Sequence, residues 1–308
     1  MSFNQFILKE QYKKVQGLGD RLPLMKQQID WQKFVPLVAS VFHDTKEMGG
    51  RPHTDELVVV RAMVLQQCYG LSDQELEFQV HDRLSFRNFL DFPESVPDFS
   101  TIWKIRERLQ QAGAEKKIWE ELQRQLDAKG YAIKKGVIQD ASFIEADLGR
   151  KRYYREKQAR KNGETIHYTK KQKSHIDKDS TFAVKHGQVH YGYKNHLKCD
   201  VDHHLIREYE ITTASLHDSQ IDLVEKRDVA VWRDKGYFGK KLHAKGVLDN
   251  TMKRGTRARK LNGGEQKRNR MLARVRAPGE RLFAVKQRVF NGGRTLVKRL
   301  ERVSIKEM

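Results

Sequence analysis

Cysteine is nearly missing. Of 308 residues only Cys68 and Cys199 are cysteine, far apart and in no Cys-x-x-Cys arrangement. A disulfide framework is thereby excluded, and a reducing cytosol is the simplest home. Long apolar runs are missing too: none approaches the roughly 20 residues that span a bilayer. The apolar stretch within MSFNQFILKEQYKK is too short for a secretory signal. Lipidation signals are absent. The glycine pairs at 263–264 and 292–293 read as turns, since no Gly-Lys-Ser/Thr follows to cradle a phosphate. His186, His190, His196, Cys199, His203 and His204 match no zinc spacing, and strand alternation would send them to both faces of a sheet.

What the chain has in excess is positive charge: 60 Lys and Arg against 40 Asp and Glu, a formal net charge of +20. Charge of this size and clustering points to a polyanionic partner, nucleic acid before membrane. Segment 150–178 holds 11 Lys/Arg against 3 acids, with no apolar period, and reads as a long insertion or loop. Its Tyr153, Tyr154 and Tyr168, set among cations, suit a segment that orders on DNA by phosphate contact and base stacking. Lys151, Arg152, Arg155, Lys170 and Lys171 are its phosphate candidates.

Three parts follow from the patterning. Residues 1–50 read as a helical arm without chemistry. Residues 51–130 read as an all-helical domain and the candidate DNA-binding part. Thr54 is placed as a cap, Leu57, Val60, Val64, Leu65 and Cys68 recur at helical spacing, Ser72 with Glu75 forms a capping box, and Ser100 caps a further helix. Within STIWKIRERL, Lys104, Arg106 and Arg108 would suit a helix-turn-helix reader, but a plain bundle with a basic face accounts for them equally well. From 131 to 308 the pattern is mixed. GVIQDASFIEA gives a strand over 137–146. VHYGYKNHLKCDVDHHLIREYEIT gives two strands around a turn at 200–203. A helix is expected near 217–227 and a strand over 229–233. A second basic stretch covers 254–276, and a helix starts at Pro278. Three strands followed by a helical crossover to a further strand is the ordering of an RNase H-like α/β domain, a mixed sheet flanked by helices. Periodicity leaves other α/β folds open.

The chemistry lies in the carboxylates. Asp140 sits inside a strand between Ile138 and Phe143, where a buried acid needs a cation or a metal. Asp234 ends the strand VAVWR and begins a glycine turn, and poses the same problem. Two such carboxylates at adjacent strand ends repel unless they share a proton or a cation. Paired Mg²⁺ ions about 3.5–4 Å apart on hard oxygen ligands suit in-line attack on a phosphodiester. A third acid is wanted from a helix. Glu280 at the start of the last helix is the candidate, with Glu265 as competitor. Asp147, Asp200, Asp202 and Asp218 are further candidates, though most of them sit in turns, where Asp is routine. His217 could assist near the metals. His190, Tyr193, Lys194 and His196 line strands beside the acidic site.

The blocks VIQDASFIEA, HYGYKNHL, ITTASLHDSQ, DKGYFG and RVRAPGERLFAVKQRVF, in that order, resemble the insertion-sequence 5 family of DDE transposases, within the insertion-sequence 4 superfamily. The resemblance runs from about residue 50 to 300. It implies an RNase H-like catalytic domain with a metal-binding triad Asp140, Asp234 and Glu280. The expected ion is Mg²⁺, with Mn²⁺ as a substitute. Arg276 takes the place of the family's arginine before the glutamate. The pattern departs at Ala273, where tyrosine is usual, and at Gln287, where lysine is usual, with Lys286 beside it. Lys235 and Tyr237 of DKGY, with Lys194, His196, Arg276 and Lys286, complete the expected DNA contacts. The resemblance implies a protein that binds the terminal inverted repeats of its element as double-stranded DNA, cleaves their 3′ ends and joins them to target DNA by direct transesterification. A homodimer on paired ends, a cytoplasmic location at the nucleoid and no membrane partner are expected. The alternatives are a metal-dependent nuclease on the same fold and an inactive DNA-binding remnant.

Overall fold

The computed structural model describes residues 3–42, 53–185 and 187–308. His186 falls outside them. The chain divides into two compact units, 1–130 and 131–308, each described by itself.

The first unit holds eight helices among its described residues: α1 (Phe3–Gly17), α2 (Leu22–Gln28), α3 (Val35–Ala39), α4 (Glu56–Tyr69), α5 (Asp73–Asp82), α6 (Leu84–Phe89), α7 (Phe99–Gln111) and α8 (Ala114–Leu126). α4 is buried on successive positions, Val58 to Ala62, as well as at Leu65. A helix apolar all round belongs at the centre of a bundle. Trp31, Phe86, Phe89, Leu90, Ile102 and Leu109 complete the core. Two caps differ from expectation. Asp55, not Thr54, accepts the amides of Leu57 and Val58, and Asp98, not Ser100, accepts that of Thr101. A carboxylate is the stronger acceptor and adds charge at the positive end of the helix dipole. Arg106, one of the candidate groove contacts, instead grips both Asp73 oxygens at 2.7 and 2.6 Å, as a plain bundle allows, while Lys104 and Arg108 stay exposed.

The second unit is built on a mixed sheet flanked by helices. Its strands are β1 (Val137–Ala146), β2 (Thr181–Lys185), β3 (Gln188–Asp200), β4 (Ile206–Thr213), β5 (Ala230–Arg233), β6 (Leu248–Thr251) and β7 (Arg294–Thr295). The order is β2-β3-β1-β5-β6, with β4 also on β3 and β7 also on β1. β3 is antiparallel to both β1 and β4, whereas β5 is parallel to β1 and β6 to β5. Among its described residues this unit has four α-helices: α9 (Arg150–Lys161), α10 (Lys170–Ser174), α11 (Gly263–Val289) and α12 (Leu300–Glu307).

Alternation assigns the faces. Ile138, Asp140, Ser142 and Ile144 share one face with their partners Cys199, Leu197, Asn195 and Tyr193. α11 and α12 cover it: Gly279 lies against Ile138 and Cys199, Gln287 donates to the Ser142 hydroxyl at 2.9 Å, and Val303 packs with Ile144, Tyr193 and Ile211. The opposite face carries Gln139, Phe143, Lys194, His196 and Lys198.

Three expectations need correction. The helix expected near 217–227 is only a 3-10 turn, Asp218–Gln220, followed by extended chain. Gln139, fully buried, donates to the Ile221 carbonyl at 2.8 Å and accepts from the Leu223 amide at 3.4 Å, so it holds this crossover extended across the sheet. The stretch 150–178 is not wholly loop. Arg, Lys, Glu, Gln and Ala are good helix formers, and α9 forms without an apolar period. Pro278 lies inside α11 rather than in its first turn. The helix starts fifteen residues earlier, where Asn262 and Glu265 make a reciprocal capping box. An interior proline costs about 3 kcal/mol of helix propensity, which the buried face along Leu272, Arg276 and Gly279 offsets.

Among the described residues no helix is long and apolar enough to cross a membrane.

Candidate active site: two carboxylates in register

β1 and β5 pair with Val137 opposite Val231 and Ile138 opposite Trp232. The same register carried two residues on sets Asp140 beside Asp234, on one face of the sheet. Asp140 lies in mid-strand and Asp234 just past the strand end, so a constant offset brings the two acids together.

Each carboxylate is held differently. Asp140 Oδ1 accepts the Ala141 amide at 2.9 Å, and Oδ2 meets Arg276 Nη2 at 2.5 Å. Burial pushes the Asp140 carboxyl above the usual carboxylate range, the Arg276 guanidinium opposes that, and the negative charge of Asp234 adds to it. Asp234 Oδ1 accepts the Gly236 amide at 2.7 Å and caps the 3-10 turn Lys235–Tyr237. A Cβ on Gly236 would stand 2.9 Å from that same oxygen, so the cap needs glycine there. The neighbouring Arg233 clamps the turn. It is 1% exposed, donates to Asp249 at 2.8 Å, to the Lys240 carbonyl at 3.2 Å and to the Thr251 hydroxyl at 2.9 Å, and lies over the Tyr237 ring. A carboxylate at this strand end is therefore rigidly aimed.

Glu280 lies one helical turn beyond Arg276 on α11, next to Gly279, whose Cβ would stand 3.0 Å from Ile138 Cγ2. This close approach brings Glu280 to the site's side of the sheet, where it is exposed. Glu265 is accounted for otherwise. It completes the capping box and pairs with Lys253 at 3.0 Å and Arg259 at 2.8 Å. Asp200 accepts the amides of His203 and Leu205 and pairs with Arg207, Asp202 pairs with Lys135, and Asp147 accepts the Gly149 amide.

Asp140 and Asp234 fit a divalent cation. They are hard oxygen donors side by side, and their mutual repulsion calls for a positive charge, now supplied on one side by Arg276. Among the described residues no group of three His, Cys, Asp or Glu closes around one point, and Glu280 does not join the pair.

The expected DNA contacts separate into exposed and enclosed groups. Lys151, Arg155, Lys170, Lys171 and Lys235 are exposed, and Arg155 lies over the Tyr168 ring. Arg152 is half-buried and donates to the Leu148 carbonyl. Lys194 is buried on the face opposite Asp140, where it meets Asp218 at 2.8 Å and the Leu216 carbonyl at 2.6 Å. His196, also on that face, is fully buried, shares a hydrogen bond with Thr212, and is pushed down to about 4 by desolvation. Lys286 pairs with Glu307 of α12 at 2.6 Å and is lowered by burial. Tyr237 is 1% exposed. Burial first, and then the charges of Asp140, Asp218 and Asp234, drive its hydroxyl far above its ordinary value, so it stays protonated beside the acids. Asp218, a further candidate for the acidic set, instead pairs with Lys194 at the start of its 3-10 turn, and Arg233 had been given no role. The signal for Arg233 was an arginine closing an apolar strand, where only a buried partner satisfies it.

Two stretches of the chain match known families: residues 9–108 match the transposase domain DUF772, and residues 132–306 match the transposase DDE domain. The second match covers more than half of the chain. The chain belongs to the DDE transposase family. No solved structure matches it. The DDE match covers nearly all of the second unit, from just before β1, which carries Asp140, into α12, so the transposase assignment and the paired carboxylates concern the same part of the molecule.

Proposed function

We propose that this transposase belongs to the insertion-sequence 5 group of the insertion-sequence 4 superfamily. Its second unit is an RNase H-like domain that cleaves the 3′ ends of its element and joins them to target DNA. The observation that carries this reading is the register that sets Asp140 beside Asp234. The sheet order β4-β3-β1-β5-β6, antiparallel on one side of β1 and parallel on the other, supports the fold assignment.

In this reading Asp140 and Asp234 would hold a divalent ion, Mg²⁺ or Mn²⁺, and Glu280 on α11, which stands apart from the pair in the free protein, would join them as the third ligand when the ion and DNA are bound. An ion bound there would supply Lewis-acid activation of a water or 3′-hydroxyl and charge neutralisation at the phosphodiester. The chain's own residues do the rest. Arg233 and Gly236 fix the direction of Asp234. Arg276 balances Asp140 in the free protein and lies one turn from Glu280, where its guanidinium can pass to a phosphate oxygen when the carboxylates take another cation. The exposed cations Lys151, Arg155, Lys170, Lys171 and Lys235 hold the DNA backbone, and the net charge of +20 steers it in. The first unit contributes DNA binding through Lys104 and Arg108 of α7. The protein works as a homodimer on two paired ends, in the cytoplasm at the nucleoid.

Labelled DNA carrying the sequences that flank the coding region, incubated with protein and Mg²⁺ or Mn²⁺, tests this. Discrete 3′-end nicks and joined products, both lost in Asp234→Asn, are expected. Nicks without joining would reduce the protein to a nuclease, and cleavage indifferent to chelator would sink the metal reading.

A further inference from the structure

α9 does not lie flat on the sheet edge. Between it and β2 is a cleft of about 530 Å³, a volume within the roughly 300–1,000 Å³ range of ligand pockets. Its walls are aromatic: Tyr153 and Phe182 lie 5.8 Å apart and tilted, and Phe182 and Tyr191 lie 4.7 Å apart. Its rim is cationic, with Arg152, Lys157 and Arg160 from α9. The lone acid on the lining, Glu156, is already engaged by the Tyr168 hydroxyl at 2.8 Å and faces Arg152 at 3.9 Å. Lys157 and Arg160 make no ion pair among the described residues. Packing of α9 on β2 does not explain this arrangement, because Phe182 stays 44% exposed beside free cations.

Aromatic faces rimmed by cations, Lys157 and Arg160 among them unpaired, suit a base that has left the stack, with its flanking phosphates. A paired base inside duplex DNA offers no face to such a cleft. We propose that the cleft between α9 and β2 is a second nucleic-acid site, which stacks one unpaired nucleotide of a DNA strand on Tyr153, Phe182 and Tyr191 and holds its phosphates with Arg152, Lys157 and Arg160.

The position agrees with a role near the cut. Tyr191 and Leu197 point to the same face of β3, and Leu197 is the register partner of Asp140. Six residues of strand cover about 20 Å, or about six base pairs at 3.4 Å each. The unpaired nucleotide is thus held about half a helical turn from the bond at the carboxylates. The inference rests on the reading of the second unit as a DNA-processing domain, and its test separates the two.

The test is ultraviolet cross-linking of the whole protein, in chelator, to 30-base-pair duplexes carrying 5-iodouracil either paired or as a single unpaired nucleotide. Adducts on Tyr153, Phe182 or Tyr191 from the unpaired position, and not from the paired one, are expected in the wild type and equally in Asp234→Asn. Adducts elsewhere only, or equal adducts from both positions, overturn the cleft and leave the catalytic reading standing. No DNA binding at all overturns both. By anisotropy, Tyr153→Ala and Phe182→Ala should each weaken the duplex with the unpaired nucleotide about tenfold, the scale of one lost base–aromatic stack, while the fully paired duplex binds as before. Tyr153→Phe should retain wild-type binding. An equal fall on both duplexes would contradict a stacking site.

Discussion

Arg276→Gln removes the counter-charge that Asp140 meets at 2.5 Å. Breaking a buried ion pair from one side costs about 3–5 kcal/mol, because the other charge is left in a poor environment. The two side chains keep 9% and 18% of their exposure, which puts the cost at the low end, about 3 kcal/mol. Asp234 raises it further, since its charge already opposes ionisation of Asp140. The folded-state pKa of Asp140 stands above its ordinary value, so the native state binds the proton more tightly than the unfolded chain. Stability from this group therefore falls as pH rises, from the ordinary carboxylate region near about 3.9 to beyond the raised native value. Without Arg276 that fall is deeper and reaches higher pH. Hydrogen exchange of the peptide spanning β1, at pH 7 in metal-free buffer, should speed up by about two orders of magnitude, the equivalent of 3 kcal/mol. The double variant with Asp140→Asn should exchange nearly as slowly as the wild type, because no charge is then stranded. Equal exchange in the wild type and Arg276→Gln would refute the claim that this arginine neutralises a buried acid.

Gly236→Ala places a Cβ 2.9 Å from Asp234 Oδ1, so 3′-end cleavage should fall by at least about tenfold, as catalytic groups displaced by about 1 Å do. DNA affinity should hold, and an unchanged cleavage rate would show that the turn does not aim the acid. His196 is held at about 4 in the folded protein, below its unfolded value near about 6.5, so stability is lost as pH falls through that window, by roughly 3 kcal/mol. His196→Gln should flatten the pH dependence of denaturant unfolding between those limits, and parallel profiles would contradict the burial argument. Gly279→Leu drives side-chain atoms into Ile138 and should destabilise the second unit by about 1–3 kcal/mol, seen as a lower thermal midpoint. A midpoint unmoved would mean that α11 does not rest on β1 at this glycine.

Strand alternation made β1 legible over its full length, and the polar turn at Asp200–His203 marked the β3–β4 hairpin, because half-buried strands write their faces into every second residue. The acids at 140 and 234 were legible for a chemical reason: each is an ionisable group where a strand excludes water. Their adjacency was not, since it depends on the offset between β1 and β5, and a long crossover says nothing about register. The crossover itself misled, because the helical start at Asp218 is overridden by Gln139 binding the extended backbone. α9 was hidden by having no apolar face, and the start of α11 by the proline in its middle. Lys194, His196 and Lys286 looked like phosphate ligands because charge reads as surface. Only the packing of β4, of the crossover and of α12 shows where their partners lie.

The central claim is that Asp140 and Asp234 share one cation. Mn²⁺ titration followed by electron paramagnetic resonance of the free ion tests it without reference to cleavage. The account predicts that the wild type removes Mn²⁺ from solution at a saturable site and that Asp140→Asn and Asp234→Asn each weaken that site by at least about tenfold, a loss of roughly 1.4 kcal/mol or more. Wild-type Mn²⁺ binding in both variants would contradict it.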